Sequence, residues 1–164
     1  WPARLPAGRR VCALVQPHDL AATILTAAGW DPHDLQRLMP DSRDLAPVAT
    51  GSDQSVHDVV ICCHRNSGVK LGGGYFDPPI YATMIRDGRH KLSLYHDLDS
   101  AGTASQGLLY DMQQDKDEFH DLWHDPAHQG VKVRLLQRLA DWSIGQELAS
   151  GSRGGEALAQ PARQ

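Results

Sequence analysis

Leu20, Ala21, Ile24, Leu25 and Ala28 recur at the i, i+4 and i+8 spacing that lines one face of a helix. Pro17-His18-Asp19 opens this pattern and Gly29 closes it, so the reading is a helix over roughly residues 17–28 with glycine just past its end. A short apolar stretch, Val11 to Val15, precedes it. From Trp30 to Asp53 the chain is punctuated by Pro32, Pro40, Pro47 and Gly51, which predicts a long connection with one helical turn near His33 to Leu38. Val59-Val60-Ile61-Cys62-Cys63 is uninterrupted and β-rich, the pattern of a buried strand covered on both faces. Gly68, Gly72-Gly73-Gly74 and Pro78-Pro79 then predict an irregular loop carrying Tyr75 and Phe76.

Ala82 to Arg86 and His90 to Tyr95 flank Asp87-Gly88, with Leu92 and Leu94 alternating against Lys91, Ser93 and Tyr95, which predicts a β-hairpin. Gly107 to Asp111 reads as a third short antiparallel strand. Asp125 and Pro126 fit the N-cap and first turn of a long helix. Its stripe of Val131, Leu135, Leu139 and Trp142, with Leu136 beside them, is expected to pack on the hairpin sheet, and its end is expected near Leu148. The Gly, Ser, Ala, Gln and Arg residues beyond are too poor in apolar side chains to offset ordering entropy, so residues 149–164 read as a disordered tail.

Composition narrows the class. The 164 residues are 41% hydrophobic and 22% charged, a globular mixture of one domain or the end of a larger one. Lys+Arg 16 against Asp+Glu 20 leaves a net charge of −4, so no nucleic-acid or anionic-membrane partner is expected, and any anion site must be local. No apolar run approaches the ~20 residues of a membrane helix. Cys12, Cys62 and Cys63 form neither a CxxC pair nor an even framework, so reduced thiols and a cytoplasmic setting are expected. The turn-rich opening at Trp1-Pro2 reads as a strand exit with no strand before it, as in a fragment lacking its beginning.

Several constellations invite chemistry. His120, His124 and His128 stand four apart, a zinc-like spacing on one helix face, but Pro126 falls within the span, so exposed loop and helix-start histidines are the preferred reading. Cys62 and Cys63 next to His64 could supply a nucleophile, but they lie in the apolar run, and core packing is preferred. The three consecutive glycines lack the Lys-Ser/Thr sequel of a phosphate loop. The sharpest polar cluster is His64, Arg65, Asn66 and Lys70, placed directly after the predicted buried strand, where Arg65 and Lys70 could hold an anion.

Four segments in order resemble the C-terminal part of the sulfatase family, within the alkaline-phosphatase-like superfamily. Trp1-Pro2-Ala3-Arg4-Leu5-Pro6-Ala7-Gly8 looks like the family's W-P-G-R-hydrophobic-P-x-G segment, with Ala3 for Gly. Asp19-Leu20-Ala21-Ala22-Thr23-Ile24-Leu25 through Ala28-Gly29 is similar to its D-hydrophobic-x-P-T helix, with Ala22 for Pro. Met84-Ile85-Arg86 through Arg89-His90-Lys91-Leu92 looks like its V-R-x-x-R-Y-K hairpin, and Leu109-Tyr110-Asp111-Met112 through Asp115, Glu118 and Asp121-Leu122 looks like its L-Y-D-L-x-x-D-P-x-E-x-x-N-L run.

The resemblance implies an α/β protein, α+β for this stretch: residues 1–65 as the end of the sulfatase α/β core, and 66–148 as a C-terminal subdomain of small antiparallel sheet packed by a long helix. The implied activity is sulfuric ester hydrolysis by a metal-dependent hydrolase, with a divalent cation, calcium or magnesium, and a formylglycine made from the Cys or Ser of C/S-x-P-x-R. That segment and the family's metal-binding segments are absent here, so no catalytic and no metal residue is assigned, and the stretch by itself is expected to be inactive. Its share is expected to be packing and part of the substrate pocket, with His64, Arg65 and Asn66 as substrate contacts and Tyr75 stacking on a sugar or aryl group. The implied partner is a sulfate-ester, or phosphate-ester, small molecule or glycan, and a homo-oligomer is allowed. The alternatives are a phosphodiesterase or phosphonate monoester hydrolase of the same superfamily, and a non-catalytic binding module.

Overall fold

The computed structural model describes residues 1–52, 54–65, 69, 71–75, 81–96 and 106–156, with side chains described as far as residue 148. Its elements are helices α1 (Asp19–Ala27), α2 (Pro32–Leu38) and α3 (Ala46–Thr50), strands β1 (Val60–Arg65), β2 (Tyr81–Arg86), β3 (His90–His96) and β4 (Gln106–Asp111), a single 3-10 turn (Pro126–His128) and helix α4 (Gln129–Glu156). The strands form one four-stranded sheet in the order β1-β2-β3-β4. Neighbours in sequence are neighbours in the sheet, as short connections favour.

The chain divides into two compact units, one of Trp1–Cys62 with Arg86–Arg89, the other of Cys63–Ile85 with His90–Gln164. In the first unit Ala22, Leu35 and Val48 are buried hydrophobics, but the organising residue is Asp19, which has no solvent exposure. Its carboxylate accepts the Gln16 N–H at 2.6 Å, the Arg43 N–H at 2.9 Å and His57 Nε2 at 2.9 Å, tying the start of α1 to two later loops. Thr23, one turn on, donates to the Asp19 carbonyl and accepts the Leu45 N–H.

Helix α1 lies where its spacing predicts, and Gly29 follows it at φ 91. Leu20 and Ile24 are 58% and 66% exposed, while Asp19 and Ala22 face inward. Leu20 borders an open groove of about 520 Å³ whose lining also includes Trp1, Leu5, Ala27, Leu45 and Ala49. Helix α2 stands where helix was expected near His33 to Leu38, starting one residue earlier at Pro32, with Asp31 as a side-chain N-cap. Helix α3 was not expected: Pro47 reads as a breaker but occupies the first turn, where its missing N–H costs nothing, and Gly51 ends the helix at φ 88.

In the second unit β3 and β4 run antiparallel, from His90 opposite Asp111 to Tyr95 opposite Gln106. Leu92 and Leu109 face each other in that register, and both are fully buried, as are Ile85 and Leu135. The segment after β4 turns back on it: the Leu109 N–H donates to Asp121 Oδ1 at 2.9 Å and the Leu109 carbonyl accepts the Leu122 N–H at 2.8 Å. Trp123 then lies against Gly107, and Lys132 Nζ stands 4.7 Å from the indole centroid. Lys91 of β3 pairs with Glu118 at 2.7 Å, and Glu118 holds a left-handed backbone conformation, φ 61.

β1 and the long helix both depart from expectation. β1 is not covered on both faces; it ends the strand order, and Cys62, Cys63, His64 and Arg65 are all exposed. A β-rich apolar run specifies a strand but not whether that strand is central or at an edge. The long helix begins where Asp125 and Pro126 predict, with Asp125 accepting the Ala127 N–H, but it runs past Leu148 to Glu156; residues 157–164 lie outside the described residues. Gly145, inside α4, has open space where a Cβ would stand. Gly145→Ala is therefore expected to raise stability by about 0.5–1 kcal/mol, read as a higher thermal midpoint, and a lower midpoint would contradict a formed helix at this position.

Candidate functional site

At the C-terminal end of β1, Arg65 is exposed yet bound to the sheet by its guanidinium. Nη1 donates to the Ala82 carbonyl at 2.7 Å and to the His64 carbonyl at 3.2 Å, and Nη2 donates to Thr83 Oγ1 at 2.7 Å. Thr83 belongs to β2, where residues of alternate parity share a face, so Tyr81, Thr83 and Ile85 stand on the same side. It is 3% exposed, a hydroxyl placed among inward-facing side chains. The same oxygen lies 2.9 Å from His96 Nε2, at the end of β3. One polar chain thus crosses three adjacent strands, from Arg65 through Thr83 to His96. Burial, and secondarily the charge of Arg65, holds the His96 imidazole below its ordinary pKa, which favours the neutral ring at pH 7.

Of the residues singled out from sequence, Arg65 is the one drawn into this chain. His64 is exposed and contributes its backbone carbonyl to Arg65. Tyr75 is 66% exposed and forms an isolated bridge with Val69, directly after Gly72, Gly73 and Gly74. Those three glycines have φ of 98, 92 and 84, a left-handed run that side-chain-bearing residues resist. The hydrogen bonds among the described residues include none between Tyr75 and Arg65. Asn66, Lys70 and Phe76 lie outside the described residues.

Sequence reasoning missed Thr83 and His96. A threonine inside a β-rich hairpin is unremarkable by composition, and His96 falls one residue past the predicted end of the strand. The available signal was parity: Thr83 is the polar member of an otherwise apolar face.

The three regularly spaced histidines do not converge. His120 faces Asp115 at 3.8 Å and His128 faces Asp125 at 2.9 Å, and His120 and His124 both precede the turn that starts at Pro126. Among the described residues no group of three or more His, Cys, Asp or Glu is placed to hold a metal ion, so the residues present do not fit the cation of sulfuric ester hydrolysis. Cys12, Cys62 and Cys63 are free thiols and all exposed, which overturns the core-packing expectation for Cys62 and Cys63. No helix among the described residues is long and apolar enough to cross a membrane.

Comparison with known proteins points in one direction. No family model matches the chain. The chain is 24% identical over 168 residues to an ulvan-active sulfatase of Formosa agariphila, a match covering 87% of this chain and 31% of that protein. Its fold superimposes on a crystal structure assigned to the sulfatases, from Bacteroides thetaiotaomicron, with TM-score 0.62 and 24% identity over 82% of this chain and 26% of that one. It also superimposes on BT4656 in complex with its substrate D-glucosamine-2-N,6-O-disulfate, with TM-score 0.67 and 19% identity over 92% of this chain and 28% of that one. By sequence and by fold the chain is similar to sulfatases, and it spans about a third of the length of the curated relative.

Proposed function

We propose that this chain is the C-terminal part of a sulfatase-family hydrolase, supplying fold and one wall of the substrate pocket to a centre whose nucleophile and metal ligands lie elsewhere in the polypeptide. The observation that carries the reading is the agreement of sequence and fold over most of the chain with sulfatases, each much longer than the match. Residues 1–65 then form the end of the α/β core and residues 66–148 the C-terminal subdomain. The open groove bordered by Trp1, Leu20 and Leu45 supports the same reading. Its occupant is the portion of a sulfatase-length polypeptide that this chain does not span, since exposed apolar side chains of this size otherwise face water at a cost of about 25 cal/mol per Å².

In this reading Arg65 contacts the anionic ester. A guanidinium matches the oxygens of a sulfate group with paired, charge-assisted hydrogen bonds, and one already held in place by the sheet loses little freedom on binding. His64, exposed on β1, and Tyr75, exposed directly after the glycine turn, are the further candidates, Tyr75 by stacking on a sugar or aryl ring. The substrate class is a sulfate ester of a small molecule or glycan, as the disulfated sugar bound by BT4656 illustrates for that protein.

The test is to read the coding sequence upstream of Trp1 and to assay the full polypeptide. The expected result is a C/S-x-P-x-R segment and release of sulfate from an aryl sulfate that a chelator abolishes, with the 164-residue chain alone inactive. An upstream polypeptide without that segment, or hydrolysis confined to phosphate esters or phosphonates, would sink the proposal.

A further inference from the structure

We infer that Thr83 and His96 are positioning residues that act through one another on Arg65, and that His96 performs this role as its Nδ1–H tautomer, with Nε2 as acceptor. The consequence for binding rests on Arg65 contacting substrate as proposed above; the tautomer does not.

The direction of each proton follows from what the groups can do. A guanidinium only donates, so the 2.7 Å contact from Arg65 Nη2 makes Thr83 Oγ1 an acceptor. The hydroxyl has one hydrogen of its own, and Thr83 is buried, so that hydrogen needs a partner. His96 Nε2, 2.9 Å away, is the acceptor within reach, and it can accept only when unprotonated. A neutral ring then carries its hydrogen on Nδ1. A ring carrying its hydrogen on Nε2, neutral or charged, would make Thr83 Oγ1 accept from two donors and leave its own hydrogen without a partner. The chain fixes the guanidinium in one plane: both Nη atoms are engaged by the sheet, Nη1 by two carbonyls and Nη2 by a hydroxyl that His96 itself orients.

The experiment uses the 164-residue chain labelled with 15N, and reads the His96 ring nitrogens and the Arg65 side-chain signals by NMR at pH 7. Wild type is expected to show His96 protonated at Nδ1 and bare at Nε2. Thr83→Val keeps the shape and removes the hydroxyl; it is expected to mobilise the Arg65 guanidinium and redistribute the His96 tautomers, while Thr83→Ser retains both. Inorganic sulfate titrated onto Arg65 is expected to bind about tenfold more weakly in Thr83→Val than in wild type, and Thr83→Ser to restore it. An Nε2–H ring in wild type overturns the inference, as does an Arg65 signal indifferent to Thr83→Val. Should Thr83→Val fail to fold, His96→Ala gives the same Arg65 readout. If wild type shows the Nδ1–H ring and a held Arg65 but sulfate leaves Arg65 unmoved, the positioning inference stands and the substrate-contact reading fails.

Discussion

Asp19→Ala is expected to destabilise the protein by about 3–5 kcal/mol, a large share of the 5–15 kcal/mol that holds a typical domain together. The carboxylate is fully buried, and its loss leaves the Gln16 and Arg43 amides and His57 Nε2 without their acceptor. The effect carries a pH signature. Burial is the largest influence on the Asp19 pKa and raises it, but the Gln16 and Arg43 amides and His57 together outweigh it, so the folded value lies below the ordinary 3.8. A depressed carboxyl stabilises the fold above its unfolded pKa, and that contribution is lost as pH falls through the folded value. Urea denaturation of wild type and Asp19→Ala should therefore give curves far apart at pH 7 whose separation narrows as pH falls below about 4 and through the depressed folded pKa. A pH-independent gap would mean that the side chain acts through packing alone.

Gly107→Val is the second large effect, expected at about 1–3 kcal/mol or more, because it overfills a closed site. A Cβ at Gly107 would run into the Trp123 ring and stand 2.8 Å from the Ser93 carbonyl oxygen, which belongs to the backbone of the neighbouring strand and cannot swing aside. Displacing the indole also breaks its contact with Lys132. The expected readout is a lower thermal midpoint with a change in tryptophan fluorescence. Gly88→Ala is the control: Gly88 has open space at its Cβ and should melt close to wild type. Equal midpoints for the two variants would contradict the packing of Trp123 on β4.

Much of the architecture was legible because it depends on local rules. Alternation around Asp87-Gly88 located β2 and β3, and Asp125-Pro126 located the start of the long helix, since each signal reports a backbone preference of a few neighbouring residues. Burial was less legible. The apolar face of α1 is plain in the spacing of Leu20 and Ile24, yet those side chains are exposed, because periodicity says which residues share a face and not what stands opposite. Cys62 and Cys63 failed for the same reason: an apolar run cannot announce that it lies at the edge of a sheet. At the candidate site Arg65 was singled out by its place beside a predicted strand, and it proves to be the last residue of β1, whereas Thr83 and His96 were not singled out. Their roles exist only once three strands are side by side, and a hydroxyl in a hairpin has no sequence signature for that.

The capping of Leu109 by Asp121 and Leu122 bears on the vulnerability of the sheet's edges. An outer strand presents bare amides and carbonyls that another chain can copy, and here the β4 side has part of that row already answered by its own following segment. Templated growth, whether domain exchange or fibril formation, is thus discouraged at Leu109 of β4, and on the β1 side the Ile61 N–H is likewise engaged, by Gln16 Oε1 at 3.4 Å.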